Sequence, residues 1–208
     1  MLKKQAKQAD AHYRRKINQG GDDMFRFIKQ LFSEQKRVKA CPSAFPTDQM
    51  ISSILSPNKK YLLEWEQGRF RMQSEGVVCA KGRLDDPEEG KIANNGTFIF
   101  NQGGPPTTLS STFIAYSSSA KRILTKRINA NLFNNGLSDD GLFAVCQSCN
   151  NRDHKDGNLL FMFNLTTGKL VNRISPAYYW ADYYQFDSQN CTVLLCYRDG
   201  MSSKYSFY

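Results

Sequence analysis

The chain has 208 residues, 40% of them hydrophobic and 12% aromatic, with a formal net charge of +9. That length buries a core without disulfide staples, and the composition excludes a globally disordered chain. No run approaches the roughly 20 apolar residues of a membrane-spanning helix, and the first residues lack the apolar stretch of a secretory signal.

The expected compartment is therefore the cytoplasm, with Cys41, Cys79, Cys146, Cys149, Cys191 and Cys196 reduced. The charge is uneven. Residues 1–39 carry 11 Lys or Arg against 4 Asp or Glu, a balance of +7, while the rest carries 17 against 15, a balance of +2. A nearly neutral body is a poor match for broad phosphate binding, which needs clustered cations.

Residues 1–23 read as a basic, polar extension, helical or disordered, that breaks at Gln19-Gly20-Gly21. Asp22 or Asp23 caps an amphipathic helix expected over 24–40, with Phe25, Ile28, Leu31 and Phe32 on one face and Arg26, Lys29 and Gln30 on the other. Met24 also reads as a possible start. Cys41-Pro42 ends the helix.

From residue 47 to 208 the texture is that of short strands between polar turns. Four segments align. They begin at Ser56, Ala93, Ser138 and Asp187, spaced 37, 45 and 49 residues apart. Each is a small or acidic residue, a polar pair and a turn residue, followed by an apolar strand. Asn, Asp and Gly accept turn conformations and bond their own backbone. A second signal lies in the third unit, where Leu159-Leu160-Phe161-Met162-Phe163 passes through Asn164-Leu165-Thr166-Thr167-Gly168 into Lys169-Leu170-Val171, a strand–turn–strand hairpin.

On these residues the chain resembles a divergent bacterial β-propeller of the WD-repeat-like type. The resemblance is fullest over 137–173 and weaker over 56–72, 93–124 and 187–208. No Trp-Asp dipeptide closes a unit. It implies a mainly β fold: a small, incomplete β-propeller-like or twisted multi-sheet body with a short N-terminal helical segment.

Three groups are candidate sites. Cys146-Gln-Ser-Cys149 with His154 has the residue types of a zinc site, although no second C-x-x-C supplies the remaining ligands. The alternative is that Cys146 ends a buried strand and the other two lie in a loop. Residues 177–186 hold six aromatics. Tyr178, Tyr179, Trp180, Tyr183 and Tyr184, with Asp182, form an expected protein-binding loop, because Tyr and Trp give large contact area for little entropy. Half of these rings, Trp180 among them, are expected to fill the core instead. Asp139 and Asp140 are expected beside that loop as acidic turns, or as solvated turn residues. No catalytic motif is present, and the two histidines, His12 and His154, assemble no triad.

The expectation is a non-enzymatic protein-binding module. In style the chain resembles immunity proteins that neutralise a cognate toxin of polymorphic or type VI systems, which implies a toxin partner whose active site is covered. The alternative is a zinc-stabilised, nucleic-acid-associated protein using the basic N-terminal segment.

Overall fold

Runs such as Phe98-Ile99-Phe100 and Phe143-Ala144-Val145-Cys146 are apolar at every position. Successive side chains of a strand point to opposite faces, so a sheet built on these runs has two apolar faces and needs a neighbour on each. The computed structural model, which describes residues 51–105 and 107–208, meets that need by stacking four sheets.

The first sheet holds β1 (Ser52–Leu55), β2 (Tyr61–Glu66), β3 (Arg69–Ser74) and β4 (Val77–Gly82). The second holds β5 (Pro87–Ile92), β6 (Phe98–Gly103), β7 (Ser111–Tyr116) and β8 (Arg122–Ile128). The third holds β9 (Leu132–Leu137), β10 (Phe143–Ser148), β11 (Leu160–Asn164) and β12 (Lys169–Ile174). The fourth has three strands, β13 (Tyr183–Asp187), β14 (Thr192–Cys196) and β15 (Ser202–Ser206). Within each sheet the strands follow chain order and pair antiparallel. The first strands of successive sheets touch, β1 on β5, β5 on β9 and β9 on β13, so these strands line one side of the array.

Three cores separate the four sheets. Leu63, Trp65, Phe70 and Met72 meet Phe98, Phe100, Ile114 and Tyr116 between the first two. Ile99, Phe113 and Ala115 meet Ala144, Cys146, Phe161 and Phe163 between the second and third, with Phe113 stacked on Phe163 at 4.5 Å between ring centroids. Phe143, Val145, Leu160 and Met162 meet Val193, Leu195 and Phe207 between the last two. The alternation is visible in β6, where Phe98 and Phe100 face one core and Ile99 the other. The outward faces differ. On the first sheet Glu64 accepts from Arg71 Nε at 2.6 Å and from Gln73 Nε2 at 2.6 Å, and Glu66 pairs with Arg69. On the fourth, Gln185, Leu194 and Lys204 share the outward face by register.

Each repeated turn joins the first and second strands of a sheet, so a unit begins one strand earlier than the turn that marks it in the sequence. Ser56 Oγ donates to Asn58 Oδ1 at 2.7 Å and accepts from Tyr61 N at 3.0 Å. Ser138 does the same with Asp140 at 2.6 Å and Phe143 N at 2.9 Å. The residue closing each turn is left-handed: Lys59, Gly96, Gly141 and Cys191 have φ of 61°, 81°, 74° and 49°. Its amide donates to the first turn residue, which is Ser188 in the fourth unit. That unit therefore aligns from Ser188, not Asp187, and the last spacing is one residue longer than the sequence alignment had it. The turns also bond one another. Asn58 N donates to Asn94 Oδ1 at 2.7 Å, and Asn94 N donates to Asp139 O at 2.7 Å. They define a turn face, and the longer connections of residues 104–110, 149–159 and 175–182 emerge on the opposite, loop face.

Among the described residues there is no helix. The extension over 1–23, the helix expected over 24–40 and the start of the β body at 47 lie outside them.

A Cβ on Gly141 would sit 2.5 Å from Asn95 Oδ1 in the neighbouring turn, at a φ of 74°. Gly141→Ala is expected to cost about 2 kcal/mol or more in denaturant unfolding, since the left-handed backbone alone costs an L residue about 1–2 kcal/mol. Gly68→Ala, with φ of 86° and nothing within 4 Å, is expected to cost only the backbone part. Equal losses would show that the turn-to-turn contact contributes nothing.

Candidate functional site

Pro176 cannot donate to a ladder, so the chain leaves the third sheet at residue 175 and reaches β13 through an irregular segment, 175–182. The segment is held from below by two side-chain amides, and Asn134 Nδ2 donates to Ala181 O at 2.6 Å. Gln147, buried near the end of β10, donates from Nε2 to Tyr179 O at 3.2 Å and accepts at Oε1 from Ala181 N at 2.8 Å. The same oxygen accepts from Tyr184 Oη at 2.9 Å, and Tyr184 Oη also reaches Asn134 Oδ1. Every polar atom of the Gln147 amide is therefore tied to the segment or to the strand that follows it.

The aromatic rings divide around this anchor. Tyr184 points inward, and burial pushes its phenol well above the usual range. Tyr178, Tyr179 and Tyr183 are exposed, Tyr179 by 85%. Trp180 is 40% exposed, which corrects its expected place in the core. Its ring stacks on Phe133 at 4.9 Å, and its Nε1 donates to Ser148 O at 3.2 Å. The indole was free to lie outside because Tyr184 and Val193 already fill the space between the last two sheets. Tyr178 meets Tyr197 edge-on at 5.1 Å, and Ala177 N donates to Tyr205 Oη at 2.7 Å. The result is a cleft of about 340 Å³ lined by Gln147, Ser148, Asn158, Pro176 and the rings of residues 178–180.

Asp139 and Asp140 are not part of it. They sit in the turn that enters β10 at Phe143, whereas the aromatic segment is bonded to the other end of that strand, at Gln147 and Ser148. Six residues of strand put about 17 Å between the two ends. This corrects the expected juxtaposition of acidic turn and aromatic loop. Asp140 is committed locally. Burial pushes its carboxyl up, but hydrogen bonds from Ser138, Ser188 and Leu142 N outweigh that and hold it below the usual range.

The densest group of acids on the loop face is Asp85, Asp86, Glu88 and Glu89, where the chain enters β5. Glu89 accepts from Asn135 N at 3.1 Å and pairs with Lys91 at 2.9 Å. Burial, and then repulsion from Asp86 and Glu89, raises the Glu88 carboxyl. The signal for this cluster was in the sequence, as the densest acidic run of the chain, Asp85-Asp86-Pro87-Glu88-Glu89.

Cys146, Cys149 and His154 do not converge. Cys146 is fully buried in the core between the second and third sheets, and burial pushes its thiol well up. Cys149 lies beyond the strand end, its thiol raised by burial and by the charge of Glu88. His154 Nδ1 accepts from Asp156 N at 3.2 Å. Among the described residues no three His, Cys, Asp or Glu side chains are grouped to hold a metal ion. The spacing that suggests a chelate is divided by a register shift at Gln147 and Ser148. Asp156 instead braces the loop. It accepts from Asn129 N at 3.0 Å and Asn129 Nδ2 at 3.1 Å, and pairs with Arg173 at 3.1 Å.

No protein-family model matches the chain, and no curated protein matches it in sequence. Solved structures do match in fold. The computationally designed Ika4 protein aligns with a TM-score of 0.55 at 11% identity, over 79% of this chain and 95% of that one. The β-propeller domain of Myceliophteria thermophila Cps50 (Swd1) aligns at 0.51 and 9%, over 74% and 53%. The C-terminal WD40 domain of Sif2 aligns at 0.50 and 10%, over 74% and 45%. The described residues thus have a β-propeller-like fold, and the chain spans about half the length of those two propeller domains.

Two outcomes follow from these contacts. Gln147→Ala is expected to cost about 1–3 kcal/mol by leaving buried groups unpaired, and to increase acrylamide quenching of Trp180, measured in a Trp65→Phe background. Unchanged quenching would show that Gln147 does not hold the segment. Burial raises the Asp156 carboxyl, but its hydrogen bonds to Asn129 and the charges of His154 and Arg173 lower it further. A depressed folded pKa means stability that is present at neutral pH and lost as pH falls through that value, below the ordinary carboxylate range. Asp156→Asn is expected to flatten the acid limb of a melting-temperature profile, and an unchanged limb would contradict this.

Proposed function

We propose that this chain is a non-enzymatic protein-binding module whose aromatic segment, residues 177–183, is the contact surface. The observation that carries the reading is that Tyr178, Tyr179, Trp180 and Tyr183 are exposed together on a segment fixed by the buried Gln147. Exposed aromatic rings cost solvation and are not needed by the core. A segment already ordered loses little entropy on binding, which is what turns contact area into affinity. Asp182 lies on the same segment, exposed, and adds a polar contact beside the rings.

The form of this function we favour is a cytoplasmic immunity protein that covers the active site of a cognate bacterial toxin. Two features support it. The aromatic segment overhangs a cleft and could plug or cap a partner's surface, and the sequence offers no catalytic constellation to compete with a binding role. The propeller-like array supports a binding role as a rigid frame.

The test is co-expression with each toxin effector found encoded next to the gene, scored by growth and by binding of the purified pair. Wild type is expected to protect. Tyr179→Ala, with its melting curve unchanged, is expected to weaken binding by about 30-fold, the effect of a hot-spot residue of about 2 kcal/mol. A folded Tyr179→Ala, Trp180→Ala double variant that binds and protects like wild type would overturn the reading.

A further inference from the structure

The aromatic cleft and the acidic cluster belong to one face, and four observations connect them. Glu88 and Phe133 are the second residues of β5 and β9, neighbouring first strands that run into the array from the loop face. Phe133 is the ring on which Trp180 stacks, at 4.9 Å. Glu89 is bonded to the same strand, two residues further on, at Asn135. On the other side Glu88 lies near enough to Cys149 for its charge to act there, and Cys149 follows Ser148, whose carbonyl holds Trp180.

Two carboxylates of the acidic cluster lack a cationic partner among the described residues. Asp86 and Glu88 are exposed, and among the described residues no Lys, Arg or His pairs with either. Two buried amide oxygens beside Glu89 are also without a donor. They are Oδ1 of Asn135, which is 3% exposed, and Oδ1 of Asn101, which is 1% exposed and sits opposite Glu89 in the ladder. Asn135 already donates from Nδ2 to Glu89 O at 3.2 Å, so its side chain lies against the strand that carries the acidic cluster. Like charges held together, with unpaired acceptors behind them and rings beside them, favour one kind of group. It is a planar cation with several N–H donors that also stacks on aromatic faces. Arginine has that chemistry. An ammonium has the charge without the stacking plane.

We propose that the loop face receives an arginine side chain from the partner protein, its guanidinium held by Asp86 and Glu88 and flanked by Trp180 and Phe133. The proposal rests on the binding-module reading and names the chemistry of its partner. It also exchanges the acids expected from the sequence, Asp139 and Asp140, for a different pair on the opposite face.

The probe is a fluorescein-labelled peptide, Ala-Pro-Ala-Arg-Pro-Ala, with the same peptide carrying Gln or Glu at the Arg position, titrated with the full chain by anisotropy. The Arg peptide is expected to bind at least 10-fold more tightly than the Gln peptide, to weaken between 50 and 300 mM salt, and to outrank the Glu peptide further. Asp86→Asn with Glu88→Gln is expected to abolish the Arg preference and the salt dependence while leaving the weak Gln-peptide binding and the Trp180 fluorescence unchanged. Tyr179→Ala is expected to weaken all three peptides alike.

If the Gln peptide binds as tightly as the Arg peptide, and both depend on Tyr179, the aromatic surface stands and the arginine proposal falls. Absence of binding by every peptide at millimolar concentration also overturns it. So does binding that appears only after the Lys and Arg of residues 1–39 are replaced by Gln. That result would assign the acids to the chain's own basic segment.

Discussion

Two-faced sheets are the constraint from which the rest of this structure follows. A strand that is apolar at every position cannot lie on a surface, so the sheets containing β6 and β10 must each be covered twice. Four sheets with three cores between them satisfy this. Fully burying one phenylalanine or leucine contributes about 1.5–3 kcal/mol, and each core here holds several such side chains. The other face of the first sheet carries Glu64, Glu66, Arg69 and Arg71 paired across strands, so that face is charged where the inner faces are apolar. The repeated turns follow from the same arrangement. Sheets stacked at close spacing bring successive hairpins side by side, and Asn58, Asn94 and Asp139 bond across the gaps.

Stacking also separates two surfaces of different make. The turn face is made of short hairpins whose polar groups are spent on one another, as in Ser138 with Asp140. The loop face carries the longer connections, whose lengths the cores do not dictate. Loops placed on a rigid frame are where binding residues accumulate. The aromatic segment shows how the frame enters. Gln147 is a residue of β10, inside the array, yet its side chain bonds Tyr179 O and Ala181 N of the segment and the inward-facing Tyr184 Oη. A glutamine buried at that position would be costly without those partners, and with Asn134 Nδ2 donating to Ala181 O it couples core and surface.

Much of the fold was legible in the sequence, for a physical reason. Left-handed residues and Asx or Ser hydrogen bonds impose local side-chain chemistry, so the turns at Ser56, Ala93 and Ser138 and the hairpin at Asn164–Gly168 stand out. The fourth turn was misaligned by one residue because Asp187 and Ser188 are both acceptable openers, and only the amide of Cys191, which donates to Ser188 O, distinguishes them. The site was less legible. The aromatic run announced a surface, but which ring is buried depends on neighbours far away in sequence. Tyr184 is drawn inward by Asn134 and Gln147, and Trp180 is held outside by Phe133. The acidic run at residues 85–89 was visible but had no neighbour in sequence to give it meaning. Its proximity to Phe133 arises only because β5 and β9 lie side by side. The two cysteines take the alternative reading, Cys146 in a buried strand and Cys149 in the loop beyond it, because a strand end does not turn both thiols of C-x-x-C one way.

Partners are expected to meet the loop face through the aromatic segment. Position-specific photo-crosslinking tests it most directly, with a benzophenone side chain placed at Tyr179 on that face or at Asn94 on the turn face of the full chain in its own cells. The account predicts a discrete crosslinked protein from position 179 and none from position 94. Crosslinking to the same protein from position 94, with none from 179, would contradict it.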